Sequence, residues 1–134
     1  MITRFMDAMP KLAALKLKVE RTAEVERATL KGLDGRRVRI RSAHNALNTL
    51  LQSAGAIVMK QALTILYRYI IQAKLDARFV LNVHDEWQLE VSPDHAEHVA
   101  RYAVIAIQEA GEVLKLRCPL SGEARIGKNW AETH

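Results

Sequence analysis

Residues 79–91 read FVLNVHDEWQLEV, and how this stretch folds decides how the rest of the chain is read. Phe79, Val80, Leu81 and Val83 form an apolar run of the kind a buried strand uses, while Trp87, Leu89 and Val91 alternate with Gln88 and Glu90 as in a half-buried strand. The spacing predicts a hairpin over 78–91. A tight hairpin turn ordinarily takes Gly or Asn for their backbone freedom, yet this one holds His84, Asp85 and Glu86. Three ionisable side chains at the tip of two apolar strands ask for a chemical reason.

Upstream of the hairpin, Leu47, Leu50, Leu51, Ala54, Val58, Ala62, Ile65, Leu66 and Tyr69 fall at three- and four-residue steps. They predict a long core helix over 43–75. Residues 2–27 read as helical, with Pro10 as a break or a start, and KGLDGRRVRI at 31–40 reads as a turn through Asp34-Gly35 into a short basic strand. Downstream, Ser92, Pro93 and Asp94 supply an N-cap, a first-turn proline and a first-turn acid for a helix over 93–114. Its buried face is expected at Ala96, Val99, Ala100, Ala103, Ile107, Ala110 and Leu114. The tail through GEARIGKNW is expected to add a last strand. The fold class is α+β: a small antiparallel sheet carrying the hairpin, packed against two long helices.

At 134 residues, half of them hydrophobic, the chain suffices for one globular domain with a real core. It shows no internal repeat and no low-complexity linker. The single Cys118 excludes an internal disulfide framework and a cysteine-based zinc site, and points to a reducing, cytoplasmic setting. The longest apolar region, 57–71, is interrupted by Lys60, Gln61 and Arg68, and Met1 is followed by no basic segment with an apolar core. Neither a membrane span nor a secretion signal is therefore expected. Charge is uneven: residues 1–42 hold eleven Lys or Arg against five Asp or Glu, a net of +6, leaving nine against ten in residues 43–134. A cationic first third suits a polyanionic partner, nucleic acid ahead of membrane, and suits a merely solvated surface equally well.

Along the predicted long helix, Arg41, Asn48, Gln52 and Gly55 project near one edge, beside the apolar stripe. Two carboxamides one turn apart offer hydrogen-bond donors on a line, and a glycine one turn later removes the side chain that would hold a bulky ligand away. The same residues also suit the wet flank of an ordinary amphipathic helix.

RSAHNALNTLLQSAGAIVMK at 41–60, VHDE at 83–86, KGLDGRRV at 31–38 and the ending GKNWAETH together resemble the C-terminal part of the palm of family A DNA polymerases, most closely the phage-type replicative enzymes. The resemblance covers nearly the whole chain. It implies that Asp85 is a metal ligand of a site that joins nucleotides by in-line displacement at phosphorus. Two Mg²⁺ ions roughly 3.5–4 Å apart activate the 3′-hydroxyl there and neutralise the leaving pyrophosphate. Glu86 would stand beside the metals and assist electrostatically or through water. His84, Gln52 and Asn48 would face the minor groove of the primer–template, whose acceptors lie at similar places in every correct base pair. Arg41 and the basic strand before it would meet phosphates. Where the family's other main branch has an arginine near the start of this helix, Ser42, Ala43 and His44 stand here, so that contact is not carried over.

A complete site of this kind also takes a second aspartate from a segment resembling Asp-Tyr-Ser-Gln-Ile-Glu, which these 134 residues do not contain. Asp7, Asp34, Asp76 and Asp94 each sit in a helical, turn or capping context. The fingers helix that binds the triphosphate, the thumb and the exonuclease domain are likewise not represented. The expectation is a palm portion that is inactive alone and works with a separate chain carrying the remaining segments. Its origin would be a split polymerase, a truncated phage or prophage gene, or an expressed fragment. Two other readings stand beside it. One is a non-catalytic duplex-binding or interaction module, a polymerase remnant forming homo-oligomers through the surface once covered by fingers and thumb. The other is a metal phosphohydrolase pairing His84-Asp85 with His44, His95 or His98.

Overall fold

The computed structural model describes residues 7–25 and 27–133, so the expected helical start at residues 2–6 lies outside the described residues. The contacts divide into two compact units, Met1–Gly55 and Ala56–His134.

In the first unit, helix α1 (Pro10–Ala23) starts with the proline itself in the first turn, where its missing N–H leaves no partner wanting. Strands β1 (Thr29–Lys31) and β2 (Arg37–Arg39) pair antiparallel, Thr29 opposite Arg39, Leu30 opposite Val38 and Lys31 opposite Arg37. The connecting turn uses Gly35 at φ 88°, a conformation that glycine adopts at little steric cost. Asp34 accepts hydrogen bonds from the Arg36 backbone N–H (3.2 Å) and from its Nε (2.7 Å). The Arg36 guanidinium thereby holds the Asp34 carboxyl below the usual carboxylate range. Val19, Leu30, Ile40 and Ala46 form the core, flanked by Ala23, Ala28, Leu47 and Leu50. A single 3₁₀ turn at Ala43–Asn45 leads into helix α2 (Ala46–Gln72).

In the second unit, α2 turns Ala62, Ile65, Leu66 and Ile70 into a core shared with Ala106 and Ala110. Burying Ile65, Leu66 or Ile70 contributes roughly 1.5–3 kcal/mol each. By length and composition alone the helical stretch Ala43–Gln72 would reach across a bilayer, a test that the core helix of a globular domain also passes. The helix ends with Lys74 at φ 51°, and the Leu75 N–H reaches back to the Ile70 carbonyl at 3.0 Å, the six-to-one bond of a Schellman motif. Strands β3 (Ala77–Val83) and β4 (Glu86–Val91) follow as an antiparallel hairpin. The sheet is thus two separate two-stranded ribbons.

The β3–β4 register shifts between Phe79 and Leu81, leaving Val80 as an extra residue. Because side chains alternate with period two, one extra residue reverses the facing of everything beyond it. Ala77 and Phe79 therefore meet the core, whereas Val80, Leu81 and Val83 are exposed. The apolar run expected to be buried throughout is buried only before the bulge.

After a 3₁₀ turn at Pro93–His95, helix α3 (Ala96–Val113) closes the unit. The Ser92 side chain makes no capping bond; its carbonyl accepts the His95 N–H at 2.9 Å instead. Tyr69 of α2 stacks on Tyr102 of α3, ring centroids 5.0 Å apart, and donates its hydroxyl to Glu109, which raises the Tyr69 pKa. The expected last strand does not form among the described residues. The tail passes close to α3: a β-carbon at Gly111 would come within 3.1 Å of Leu120 Cγ, and one at Gly122 within 2.6 Å of the Ile107 side chain. It ends in a one-turn helix, α4 (Trp130–Thr133).

Candidate functional site

The hairpin tip is a two-residue turn, His84-Asp85, between strands that run directly into it. His84 occupies φ 53°, the left-handed region that a β-carbon disfavours by about 1–2 kcal/mol, at the first central position where primed hairpin turns want positive φ. The flanking strands impose it. Phe79 and Trp87 meet edge to face with centroids 6.4 Å apart, and with Leu89 they pin the hairpin to the core of the second unit. Such strain held by rigid flanks recurs at functional sites.

His84 and Asp85 are both exposed. No hydrogen bond or ion pair to the Asp85 carboxylate occurs among the described residues. Glu86, half-buried as the first residue of β4, is held differently: its Oε1 accepts the Trp130 Nε1–H at 3.0 Å and a hydrogen bond from Gln88 Nε2. Exposed carboxylate oxygens on a rigid turn are what a hard divalent cation takes as ligands. Among the described residues no three His, Cys, Asp or Glu side chains converge, so the donors present fit part of a divalent site, to be completed from elsewhere. His95 is already engaged, its Nδ1 accepting the Asp76 N–H at 2.9 Å. His84-Asp85 lies on a hairpin rather than on a helix. The phosphohydrolase arrangement with His44, His95 or His98 does not assemble among the described residues.

Within the first unit, Arg41, Asn48 and Gln52 are exposed, the two carboxamides one turn apart on α2. Gly55 follows on the same edge, and a Cβ there would meet nothing within 4 Å. Neither internal packing nor backbone angle therefore demands glycine, which in a helix interior costs roughly 0.5–1 kcal/mol relative to alanine. Gly55→Ala is expected to raise unfolding free energy by about that amount while weakening duplex binding. Denaturant melts and a DNA titration on the same variant check the two directions.

The β1–β2 ribbon turns Leu30 and Val38 inward, leaving Thr29, Lys31, Arg37 and Arg39 exposed on the other face. Arg36 is paired with Asp34 at 2.7 Å, but no carboxylate pairs with Lys31, Arg37, Arg39 or Arg41 among the described residues. Lys31 stands directly opposite Arg37, a like-charge pair that destabilises a ribbon and favours an anion that would bridge it.

Sequence reasoning did not single out Gln88, Trp130 and Thr133, which the fold gathers around Glu86. A signal was present in the tail: Asn129 and Glu132 have the spacing of a capping box. Asn129 Oδ1 does accept the Glu132 N–H at 3.2 Å, while the Glu132 carboxylate accepts the Lys128 N–H at 2.8 Å and Asn129 Nδ2 at 3.0 Å.

The family described as DNA polymerase family A matches residues 1–132. The DNA-directed DNA polymerase of Escherichia phage Phieco32 is 36% identical over 141 residues, covering 100% of this chain and 23% of that protein. That of Escherichia phage T7 is 33% identical, covering 98% of this chain and 21% of the relative. A solved POL domain of Pol1 from M. smegmatis, in complex with DNA primer-template and dNTP, superposes with a TM-score of 0.71 at 21% identity, covering 81% of this chain and 21% of that one. The chain thus spans about a fifth to a quarter of the length of these relatives, and it belongs to the family A DNA polymerases.

Proposed function

We propose that these 134 residues serve as a palm portion of a DNA-directed DNA polymerase. They would supply one metal-binding carboxylate and a surface for the primer–template. The observation that carries this reading is Asp85, exposed at the tip of a strained turn between core-anchored strands, in a chain of this family. Its carboxylate would hold Mg²⁺, with Glu86 alongside as fixed negative charge. When bound, the paired divalent ions lower the pKa of the attacking 3′-hydroxyl and neutralise the departing pyrophosphate. The solved relative is a polymerase domain bound to DNA primer-template, which supports DNA as the partner here. Asn48, Gln52 and His84 would donate to minor-groove acceptors common to all correct pairs, testing geometry without reading sequence. Arg41 and the cationic face of the β1–β2 ribbon would track phosphates.

The second metal carboxylate and the triphosphate-binding surface would come from polymerase segments outside these residues. The test is primer extension with this chain, primer–template, deoxynucleotides and Mg²⁺, with and without a polypeptide comprising the remaining segments of a phage-type relative. No extension is expected alone, because one carboxylate cannot position two metals and their substrate. Extension is expected in the mixture. Synthesis by the pure chain alone overturns the assignment of a partial site. Failure in the mixture, with duplex binding retained, favours the reading that the cationic ribbon binds DNA without chemistry.

A further inference from the structure

Glu86 and Gln88 lie on the outer face of β4, two residues apart, and meet two residues of α4 three apart. Trp130 Nε1–H donates to Glu86 Oε1 at 3.0 Å, and Thr133 Oγ1 donates to Gln88 Oε1 at 3.3 Å. The spacings suit each other: an i, i+3 pair on a helix spans about 5–6 Å, and i, i+2 on one strand face roughly 6.5–7 Å. Gln88 closes the set by donating Nε2 to the same Glu86 oxygen. Glu86 Oε1 is thus fixed by two N–H groups at once, and the turn of helix delivering one of them is braced by its own Asn129–Glu132 cap.

We propose that Trp130 is a positioning residue for the hairpin tip: its indole N–H, acting through Glu86, orients the carboxylate next to Asp85 and so the turn that offers Asp85 to a divalent cation. This rests on the polymerase-site reading above, but the contact itself does not depend on that reading. A merely structural indole would contribute by burial of its ring. Trp130 is 44% exposed, so its ring is only partly withdrawn from water, and the indole N–H is the part of it that acts on Glu86. Groups that orient a metal-site carboxylate without touching the metal change affinity by about tenfold or more when removed.

The test uses the full chain and Mn²⁺ as the probe. Trp130→Phe keeps an aromatic ring, though a smaller one, and removes the donor; Glu86→Gln keeps the Oε1 acceptor, and Glu86→Ala removes it. In the parent, side-chain scalar couplings are expected to hold Glu86 in a single rotamer, and Mn²⁺ to broaden the His84 and Asp85 amides. In Trp130→Phe the Glu86 couplings should average, with β3–β4 amide shifts kept, and half-broadening should need about tenfold more Mn²⁺. Exchange of the Trp130 indole proton should stay slow in Glu86→Gln and accelerate in Glu86→Ala, which decides the contact even where Trp130→Phe folds poorly. A single Glu86 rotamer and unchanged Mn²⁺ response in Trp130→Phe overturn the proposal, as does equal indole exchange in the two Glu86 variants. Broadening that survives Asp85→Asn overturns the metal reading instead, and leaves the rotamer and exchange results to decide the clamp.

Discussion

Asp85→Asn is expected to lower single-turnover nucleotide addition in a completed polymerase at least about a hundredfold, since a metal ligand acts chiefly on charge that develops in the transition state. The same change should leave the free energy of unfolding of the isolated chain within about 1 kcal/mol of the parent. Asp85 is exposed, and its carboxylate takes no partner among the described residues. It also follows a residue whose backbone, not Asp85's own, carries the positive φ. Removing one charge beside Glu86 relieves like-charge repulsion in the absence of metal, so a small gain in stability is within the expected range. A turn aspartate with a structural role would behave in the opposite way, with clear destabilisation and whatever activity exists kept in the folded fraction. Melting curves and single-turnover rates on this variant separate the two roles.

Duplex binding by the chain is expected to be tolerant of sequence and steeply dependent on salt. If Lys31, Arg37, Arg39 and Arg41 each neutralise one phosphate, counterion release gives a slope of log affinity against log salt of about −3.6, on the order of a hundredfold loss between 50 and 200 mM salt. Replacing Arg37 and Arg39 together by Ala should cut that slope by about 1.8 and weaken all duplexes alike. Replacing Arg36, already paired with Asp34 at 2.7 Å, should alter it much less. Fluorescence anisotropy across a salt series checks the slope, and a salt-independent affinity or a strong preference for one sequence would contradict it.

The hairpin, the long helix and the Asp34-Gly35 turn were legible because each has a local signal: period-two alternation, a three-to-four stripe, and a turn pair with one residue at positive φ. The helix ends were less so. Lys74 and Lys115 take the left-handed C-terminal position that glycine usually marks, and nothing local distinguishes them from other surface lysines. Val80 carries no signal for its bulge, because register belongs to the pair of strands and not to either one. The tail was misread as a strand since its packing on Gly111 depends on a helix that only the tertiary fold brings beneath it. Asp85 was identified by resemblance, and its exposure fits that identification. The hydrogen bond from Trp130 to Glu86 has no local signal, because forty-four positions separate the two residues.

The extra residue at Val80 bears on the length of β3 and not on the facing of the hairpin tip. Deleting it would bring β3 and β4 back into step without turning the tip, because Leu81, Asn82 and Val83 would keep Gln88, Trp87 and Glu86 as partners and the facing of those partners is set by β4. The bulge therefore absorbs one residue of difference in strand length and leaves the His84-Asp85 tip on the same side of the ribbon. A residue lost beyond the bulge, from 81–83, would instead shift the pairing that holds the tip.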